Sequence, residues 1–143
     1  GRPISGGVIN RPIGRHPKHR TKQAIIDSGK EAITDYKIEE KLNGYTLLLA
    51  SLRTGRTHQI RVHFSSEEFP IVGDPLYGGK QKFAPGTSEE LKKEMSKLNR
   101  QALHAYSLSF IHPTDRKVIT KTAPIPRDME KLIINLREHA SNA

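Results

Sequence analysis

The sequence predicts an α+β fold with a mostly antiparallel mixed sheet and flanking helices, and three observations favour that class. Strand-like runs flank the dipeptide Asn43-Gly44, two more flank a polar connection at 112–116, and apolar residues recur at helical spacing near the C-terminus. Hairpins beside amphipathic helices are typical of antiparallel sheets that helices cover on one face. The 143 residues suit a single domain.

Residues 1–22 are predicted to form a basic loop. Pro12 and Pro17 break any helix, and only Val8-Ile9 and Ile13 are strand-like. Its cations and imidazoles are Arg11, Arg15, His16, Lys18, His19, Arg20 and Lys22. A proline-stiffened basic loop can hold cations against a phosphate backbone with little ordering cost, and a solvated arm is the alternative.

Residues 33–52 carry the strongest hairpin signal. Asn43-Gly44 tolerates the positive φ angles of a type I′ turn between the two runs. The second run has apolar residues on both faces, so we expect it to be a strand inside a covered sheet.

Three helices are predicted. Thr57 offers an N-cap for a short helix that ends near Ser65 and buries Ile60 and Phe64. A capping box at 87–90 starts the second helix, and Asp128 can cap the third. The expected inward residues of these two helices are Leu91, Met95 and Leu98, then Met129, Leu132, Ile133 and Leu136. A hairpin of strands at 103–111 and 118–122 lies between them.

Composition favours a polyanionic partner. Lys and Arg number 24 against 15 Asp and Glu, which gives a net charge of +9 and a pI near 9.9. Such a pI is typical of nucleic-acid binders. The alternatives are that the positive charge binds an acidic membrane surface or serves only solubility. Cysteine is absent, which excludes disulfides, a thiolate nucleophile and a cysteine zinc site, and suits the cytoplasm. The longest apolar run, 47–50, is far too short to cross a membrane.

Common catalytic signatures are missing from the sequence. It contains no phosphate-binding loop, dinucleotide fingerprint, hydrolase elbow or zincin motif. The pairs His16 with His19 and His58 with His63 lack a third ligand at a recognisable spacing, so no metal site is predicted.

The densest polar cluster is residues 54–63, where a strand leads into a helix. Arg56 and His58 would lie at the helix N-terminus, where free backbone N–H groups favour an anion. Arg61, one turn later, presents a planar fork that suits a carboxylate or phosphate. Surface ion pairs of Arg56 and Arg61 are the alternative.

Three linked motifs carry a family resemblance. They are GRTHQIRVH at 55–63, PIVGDPLYG at 70–78 and RQALHA at 100–105. In order and spacing they resemble the RluA-type pseudouridine synthases, and segments 15–17, 29–32 and 123–129 extend the likeness over nearly the whole chain. The resemblance implies an enzyme that detaches the base of a uridine, rotates it and reattaches it through carbon, without a cofactor.

The resemblance also implies an aspartate nucleophile in a G-R-L-D segment, which this chain lacks. The family's catalytic tyrosine likewise precedes the matching region. We therefore expect residues 1–143 to be the C-terminal portion of a catalytic domain, inactive alone, with the missing N-terminal portion as a possible partner.

Several residues can be matched to family positions. Arg61 matches the basic residue that pairs with the nucleophile, where a guanidinium lowers the pKa of the carboxyl group. Leu103 and Ile60 are expected to line the uridine pocket, with core packing as the alternative for Leu103. Asp74 is expected to support a turn, and Tyr77 to pack in the core with its hydroxyl tied to the backbone.

The implied substrate is structured RNA, most of all large-subunit ribosomal RNA during ribosome biogenesis in the cytoplasm. The residues expected to contact RNA are Arg11, Arg15, Lys18, Arg20, Arg56 and His58. A non-catalytic RNA-binding module is the alternative. A ribosome-associated structural protein would explain the charge, but it gives no reason for the polar cluster at 54–63.

Overall fold

The computed structural model describes residues 3–79 and 82–142, so the first two residues of the predicted basic loop lie outside it. The predicted α+β class is confirmed, with strands that pair antiparallel and three helices in the described ranges. The strands form three small sheets of three, two and two strands instead of one.

The first sheet contains β1 (Gly7–Asn10), β4 (Ile33–Leu42) and β5 (Tyr45–Leu52), in the order β1-β4-β5. Asn43 and Gly44 have φ angles of 34° and 92°, which confirms the left-handed turn between β4 and β5. The prediction that β5 lies inside a covered sheet is wrong for the described residues. It is an edge strand there, and its Leu49 and Leu52 are exposed.

The second sheet pairs β2 (Ile13–Arg15) with β3 (Gln23–Ile25), so part of the predicted loop is a hairpin. The sequence did not reveal β3 because three residues are too few to show alternation. His16 closes the connection, since its N–H donates to the carbonyl of Lys22 over 3.0 Å. We call residues 11–25 the basic hairpin.

The first helix, α1 (Gln59–Ser66), confirms the predicted helix but begins differently. Thr57 is not its cap. His58 holds the N-cap position with a left-handed φ of 57°, and no side chain caps the helix. Its buried face is formed by Gln59, Val62, His63 and Phe64, whereas Ile60 is only half-buried.

Two further helices pack together over the end of the β4–β5 hairpin. They are α2 (Glu89–Lys97) and α3 (Arg127–Ser141). The predicted capping box is wrong in detail, because Ser88 is the N-cap of α2 and Thr87 is buried against the Tyr45 hydroxyl at 2.8 Å. The predicted cap of α3 is also wrong. Pro126 precedes that helix, and Asp128 pairs instead with Arg100.

A mostly aliphatic cluster, called the aliphatic cluster below, fills the space between α2, α3 and the β4–β5 hairpin. Its buried members are Leu42, Tyr45, Leu91, Met95, Leu132 and Leu136. The predicted inward stripes of both helices are thus largely confirmed, with Met129 only half-buried. A second, smaller cluster joins Ile13, Ala32 and Val62 below the basic hairpin.

The third sheet pairs β6 (Ser107–Ile111) with β7 (Val118–Thr122). The predicted first strand began at Leu103, but the structure starts it at Ser107. Side chains of β6 are exposed along its length. No helix within residues 3–79 and 82–142 is long and apolar enough to cross a bilayer.

Candidate functional site

The centre of the candidate site is a buried ion pair between Arg61 on α1 and Asp74. The guanidinium binds the carboxylate through two parallel bonds, Nε to Oδ2 and Nη2 to Oδ1, both 2.8 Å long. The side chains are only 12% and 0% exposed, so the alternative of a mere surface ion pair does not hold for Arg61. The pairing of Arg61 with Asp74 had no local sequence signal.

Asp74 also holds the turn in which it lies. Its Oδ1 accepts the backbone N–H groups of Leu76 at 2.9 Å and Tyr77 at 3.0 Å, which confirms the predicted turn role. Gly73 precedes it with φ +75°, and a Cβ there would collide with the carbonyl oxygen of Arg100. The close approach of these two backbone segments thus requires glycine.

Both members of the pair are held in their charged forms. Burial alone would raise the pKa of Asp74, but the Arg61 guanidinium and the N–H groups of Tyr77 and Leu76 outweigh it and lower that pKa. The hydrogen bonds that Arg61 donates to Asp74 raise the pKa of Arg61. Among residues 3–79 and 82–142, the bonds of Arg61 to Asp74 use two of the five N–H donors that an arginine has, and three remain for another acceptor.

Tyr77 lies against this pair and ties two other segments to it. Its ring centroid is 5.0 Å from the Arg61 guanidinium carbon. Its hydroxyl accepts the N–H of Gln23 at 2.8 Å, which confirms that it is tied to the backbone, and it lies 2.7 Å from Nδ1 of His58. Burial, followed by the Arg61 charge, lowers the pKa of His58.

Gln59 organises the strand-to-helix junction. Its side-chain Oε1 accepts from the Thr54 hydroxyl at 2.8 Å and from the N–H of Arg56 at 2.9 Å. Its Nε2 donates to the Ile33 carbonyl and to Thr34 Oγ1, both at 3.0 Å. These bonds, rather than a cap at Thr57, anchor the start of α1 to β4.

His63 connects the same junction to the basic hairpin. It is fully buried, and its Nε2 lies 2.9 Å from the carbonyl oxygen of Arg11. A carbonyl can only accept, so Nε2 carries the proton and Nδ1 accepts from the Thr34 hydroxyl at 2.8 Å. Burial lowers the pKa of His63. In the sequence, His63 was notable only as one half of a pair with His58 that lacks a third metal ligand.

The structure places the predicted RNA-contacting residues in two groups. Arg56 and His58 lie in the turn before α1, where Arg56 Nε donates to the Glu31 carbonyl at 2.8 Å. The other four, Arg11, Arg15, Lys18 and Arg20, are exposed on the basic hairpin. The Gln23 N–H bond to Tyr77 and the Arg11 carbonyl bond to His63 connect that hairpin to the first group.

Ion pairing distinguishes the basic hairpin from the helical surface. Lys92, Lys97 and Lys131 on α2 and α3 pair with Glu89 or Glu94 at 3.0 Å or less. In the described part of the chain, Arg15, Lys18 and Arg20 have no acidic partner within ion-pair distance. The basic hairpin therefore offers net positive charge to a ligand.

The predicted pocket residues lie close to the same turn. The N–H of Ala102 donates to the Val72 carbonyl at 2.8 Å, which places half-buried Leu103 beside the segment that ends in Asp74. Ile60 is half-buried next to Arg61 on α1. That they contact a uridine stays a prediction. Within residues 3–79 and 82–142, no cluster of three or more side chains could hold a metal ion.

Comparison with known proteins gives consistent results. Residues 2–66 match the family described as RNA pseudouridylate synthase. Ribosomal large subunit pseudouridine synthase D of Xanthomonas campestris pv. campestris is 46% identical over 140 residues, which are 98% of this chain and 42% of that protein. The protein of the same name from Escherichia coli K12 is 44% identical over 137 residues, again 42% of its length.

Solved structures agree with these relatives. Human RNA Pseudouridylate Synthase Domain Containing 1 has a TM-score of 0.65 and 25% identity, covering 96% of this chain and 61% of that one. Human RNA Pseudouridylate Synthase Domain Containing 4 has a TM-score of 0.64, also at 25% identity, over 93% of this chain and 57% of its own. The chain spans less than half of the length of the curated relatives it matches. The predicted family resemblance is confirmed.

Proposed function

We propose that this chain, which belongs to the RNA pseudouridylate synthase family, is part of an enzyme that isomerises uridine to pseudouridine in large-subunit ribosomal RNA. The main support for the proposal is the buried Arg61–Asp74 pair. It joins the motif at 55–63 to the motif at 70–78, and it leaves N–H donors of Arg61 for a second carboxylate. The names of the relatives support the substrate. Action in the cytoplasm during ribosome biogenesis belongs to the same proposal.

Arg61 acts in this proposal by holding an aspartate nucleophile. Asp74 already neutralises the guanidinium charge, so Arg61 would aim the second carboxylate chiefly through its three remaining N–H donors. Half-buried Leu103 and Ile60 would then line the uridine pocket beside it. The chemistry requires no cofactor in this scheme.

The nucleophile would come from polypeptide outside these residues, with 1–143 as the C-terminal portion of the catalytic domain. None of the five aspartates, Asp27, Asp35, Asp74, Asp115 and Asp128, lies in the family's nucleophile motif. A chain that positions a uridine without a covalent partner cannot break its glycosidic bond. The chain alone should release no tritium from RNA labelled at uridine carbon 5, and turnover by the purified chain would contradict this assignment.

The role of Arg61 can be tested in the enzyme that contains this sequence. Arg61→Lys keeps the charge but loses the fork, and we expect turnover of bound RNA to fall about 100-fold from misplacement of the nucleophile. The turnover of bound RNA by Arg61→Met should fall further, because this variant loses the charge as well as the fork. Arg100→Lys is the matched control, because it alters a bidentate pair that is exposed at the surface. A loss of RNA affinity with unchanged turnover would make Arg61 a phosphate contact instead.

RNA binding by the chain itself, without turnover, is the behaviour expected of the second candidate, a non-catalytic RNA-binding module. The observation that favours it is the exposed charge of Arg15, Lys18 and Arg20 on the basic hairpin, which have no acidic partner in the described part of the chain. With three to five phosphate contacts, the logarithm of affinity should fall with the logarithm of salt at a slope of about 2 to 4.

Two triple variants locate the RNA face. Changing Arg15, Lys18 and Arg20 to Ala should weaken filter binding and lower the salt slope, since each lost contact removes about 0.7 from it on single strands. Changing Lys92, Lys93 and Lys97 to Ala should weaken filter binding less. Equal losses would mean that the basic hairpin is not the RNA face. Binding without turnover in the complete protein would favour the module over the enzyme.

A further inference from the structure

Tyr77 contacts three parts of the chain that are separate in sequence. Its hydroxyl lies 2.8 Å from the N–H of Gln23 on β3 and 2.7 Å from Nδ1 of His58 in the turn before α1. Its ring lies under the Arg61 guanidinium. One side chain thus joins the basic hairpin, the turn and the ion pair.

We propose that Tyr77 is a positioning residue, which holds the basic hairpin and His58 in a fixed relation to the Arg61–Asp74 pair so that bound RNA is presented to that pair. The inference rests on the proposed function. It adds a specific task for the hydroxyl group, separate from the packing of the ring.

The donors and acceptors around the hydroxyl are all satisfied when Tyr77 donates to His58. The Gln23 N–H can only donate, so it occupies a lone pair of the Tyr77 oxygen. In the proposed arrangement the Tyr77 proton is donated to Nδ1 of His58 over 2.7 Å, and the neutral imidazole carries its own proton on Nε2. The lowered pKa of His58 agrees with a neutral ring.

His58 needs such support because its backbone is left-handed. A φ of 57° at a non-glycine residue persists only where the surroundings hold it. The nearby Tyr77 hydroxyl and ring, with ring centroids 5.5 Å apart, provide that restraint.

The ring and the carboxylate of Asp74 form one unit. Asp74 Oδ1 accepts the N–H of Tyr77 at 3.0 Å, and the Asp74 carbonyl accepts the N–H of Gly78 at 3.1 Å. Because both groups that contact Arg61 belong to this turn, a displacement of Tyr77 would displace the ion pair as well.

The test compares Tyr77→Phe with Tyr106→Phe in the 143-residue chain. The first removes the central hydroxyl and keeps the ring, and the second removes a hydroxyl from a half-exposed side chain that immediately precedes β6. Nitrogen NMR of the imidazoles should show His58 protonated on Nε2 in the wild type and in Tyr106→Phe. In Tyr77→Phe both tautomers should appear, a change that loss of packing alone would not produce.

Amide exchange and RNA affinity complete the test. The Gln23 amide should exchange about 2- to 10-fold faster in Tyr77→Phe, as expected for one lost hydrogen bond, while the Ala102 amide keeps its rate. Affinity for a short single-stranded uridine-containing RNA should fall by a similar factor. Tyr106→Phe should leave all three readouts unchanged.

Each failure has its own meaning. If the His58 signals and Gln23 exchange are the same in Tyr77→Phe as in the wild type, the positioning role is overturned whatever the RNA affinity. If both change and RNA affinity does not, the hydroxyl does not align the hairpin for RNA, and the proposal is also overturned. A wild-type chain without RNA affinity would instead contradict the proposed function, which the NMR readouts do not use.

Discussion

The strand-to-helix junction and the aliphatic cluster both contain fully buried side chains but are built from different interactions. The polar junction consists of Thr34, Thr54, Gln59, His63 and the Arg61–Asp74 pair, and its Thr34 and His63 are 0% exposed. The aliphatic cluster is closed by Leu42 and Met95, at 3% and 2% exposed. The first is held by directional bonds and the second by apolar packing.

The difference shows how stability and positioning are divided in this chain. Apolar packing is non-directional and tolerates changes that keep volume, so the aliphatic cluster can stabilise α2 and α3 without fixing atoms to a fraction of an ångström. Each bond in the polar junction sets an angle as well as a distance. A lost partner there leaves a buried polar group unsatisfied, so substitutions in this region are costly to stability. The same directional bonds hold the side chains of the site in closely defined positions.

The largest effect is expected from Asp74→Ala, which leaves the Arg61 charge buried without its partner. We expect the free energy of unfolding to fall by about 3–5 kcal/mol in urea titration, the cost typical of breaking one side of a buried pair. Asp128→Ala is the control, because it breaks a bidentate pair with Arg100 that remains solvent-exposed. Equal losses in the two variants would show that burial does not distinguish the pairs.

Met95→Ala tests the opposite region and should have the next largest effect. Truncation of this 2%-exposed side chain should cost about 2–5 kcal/mol through lost transfer energy and the cavity left behind. Met129→Ala, at a half-buried position on α3, should cost less. RNA affinity of the folded Met95→Ala chain should equal that of the wild type. A large loss of affinity would mean that the aliphatic cluster also positions the site.

Local patterns were sufficient to predict most secondary structure. The Asn43-Gly44 turn and the stripes of α2 and α3 depend on neighbouring residues, so the sequence reveals them. The predicted caps failed because tertiary partners compete for the same side chains. Asp128 is taken by Arg100 and Thr87 by Tyr45, contacts across 28 and 42 residues.

The candidate site was predicted only in outline. The motif at 55–63 located the junction and Arg61, but the partner of Arg61 is 13 residues away and the bond from His63 to Arg11 spans 52 residues. Neither spacing has a periodic signal. His63 looks like any polar residue between Val62 and Phe64, and only the fold shows that Thr34 and Arg11 satisfy both its nitrogens.

The smallest effect is a pH dependence of stability from His63, and its sign follows from burial. Burial lowers the folded-state pKa of His63 below the ordinary value of 6.5, so below that value the unfolded state binds more protons than the folded state. The free energy of unfolding should therefore fall as pH drops from about 7 to about 5, where carboxylates remain ionised. His58 contributes in the same direction.

Substitution of His63 isolates the part of this pH dependence that comes from the polar junction. Urea titrations across this pH range should give a shallower dependence for His63→Gln than for the wild type, because the contribution of His63 is lost while that of His58 remains. Met129→Ala, which shortens a half-buried side chain on α3 and changes no titratable group, should keep the wild-type dependence. If His63→Gln also kept it, the buried ring would not resist protonation, and the Thr34 hydroxyl would have to turn away so that Nδ1 could donate to its oxygen. The polar junction would then be adaptable, and the contrast with the aliphatic cluster would fail.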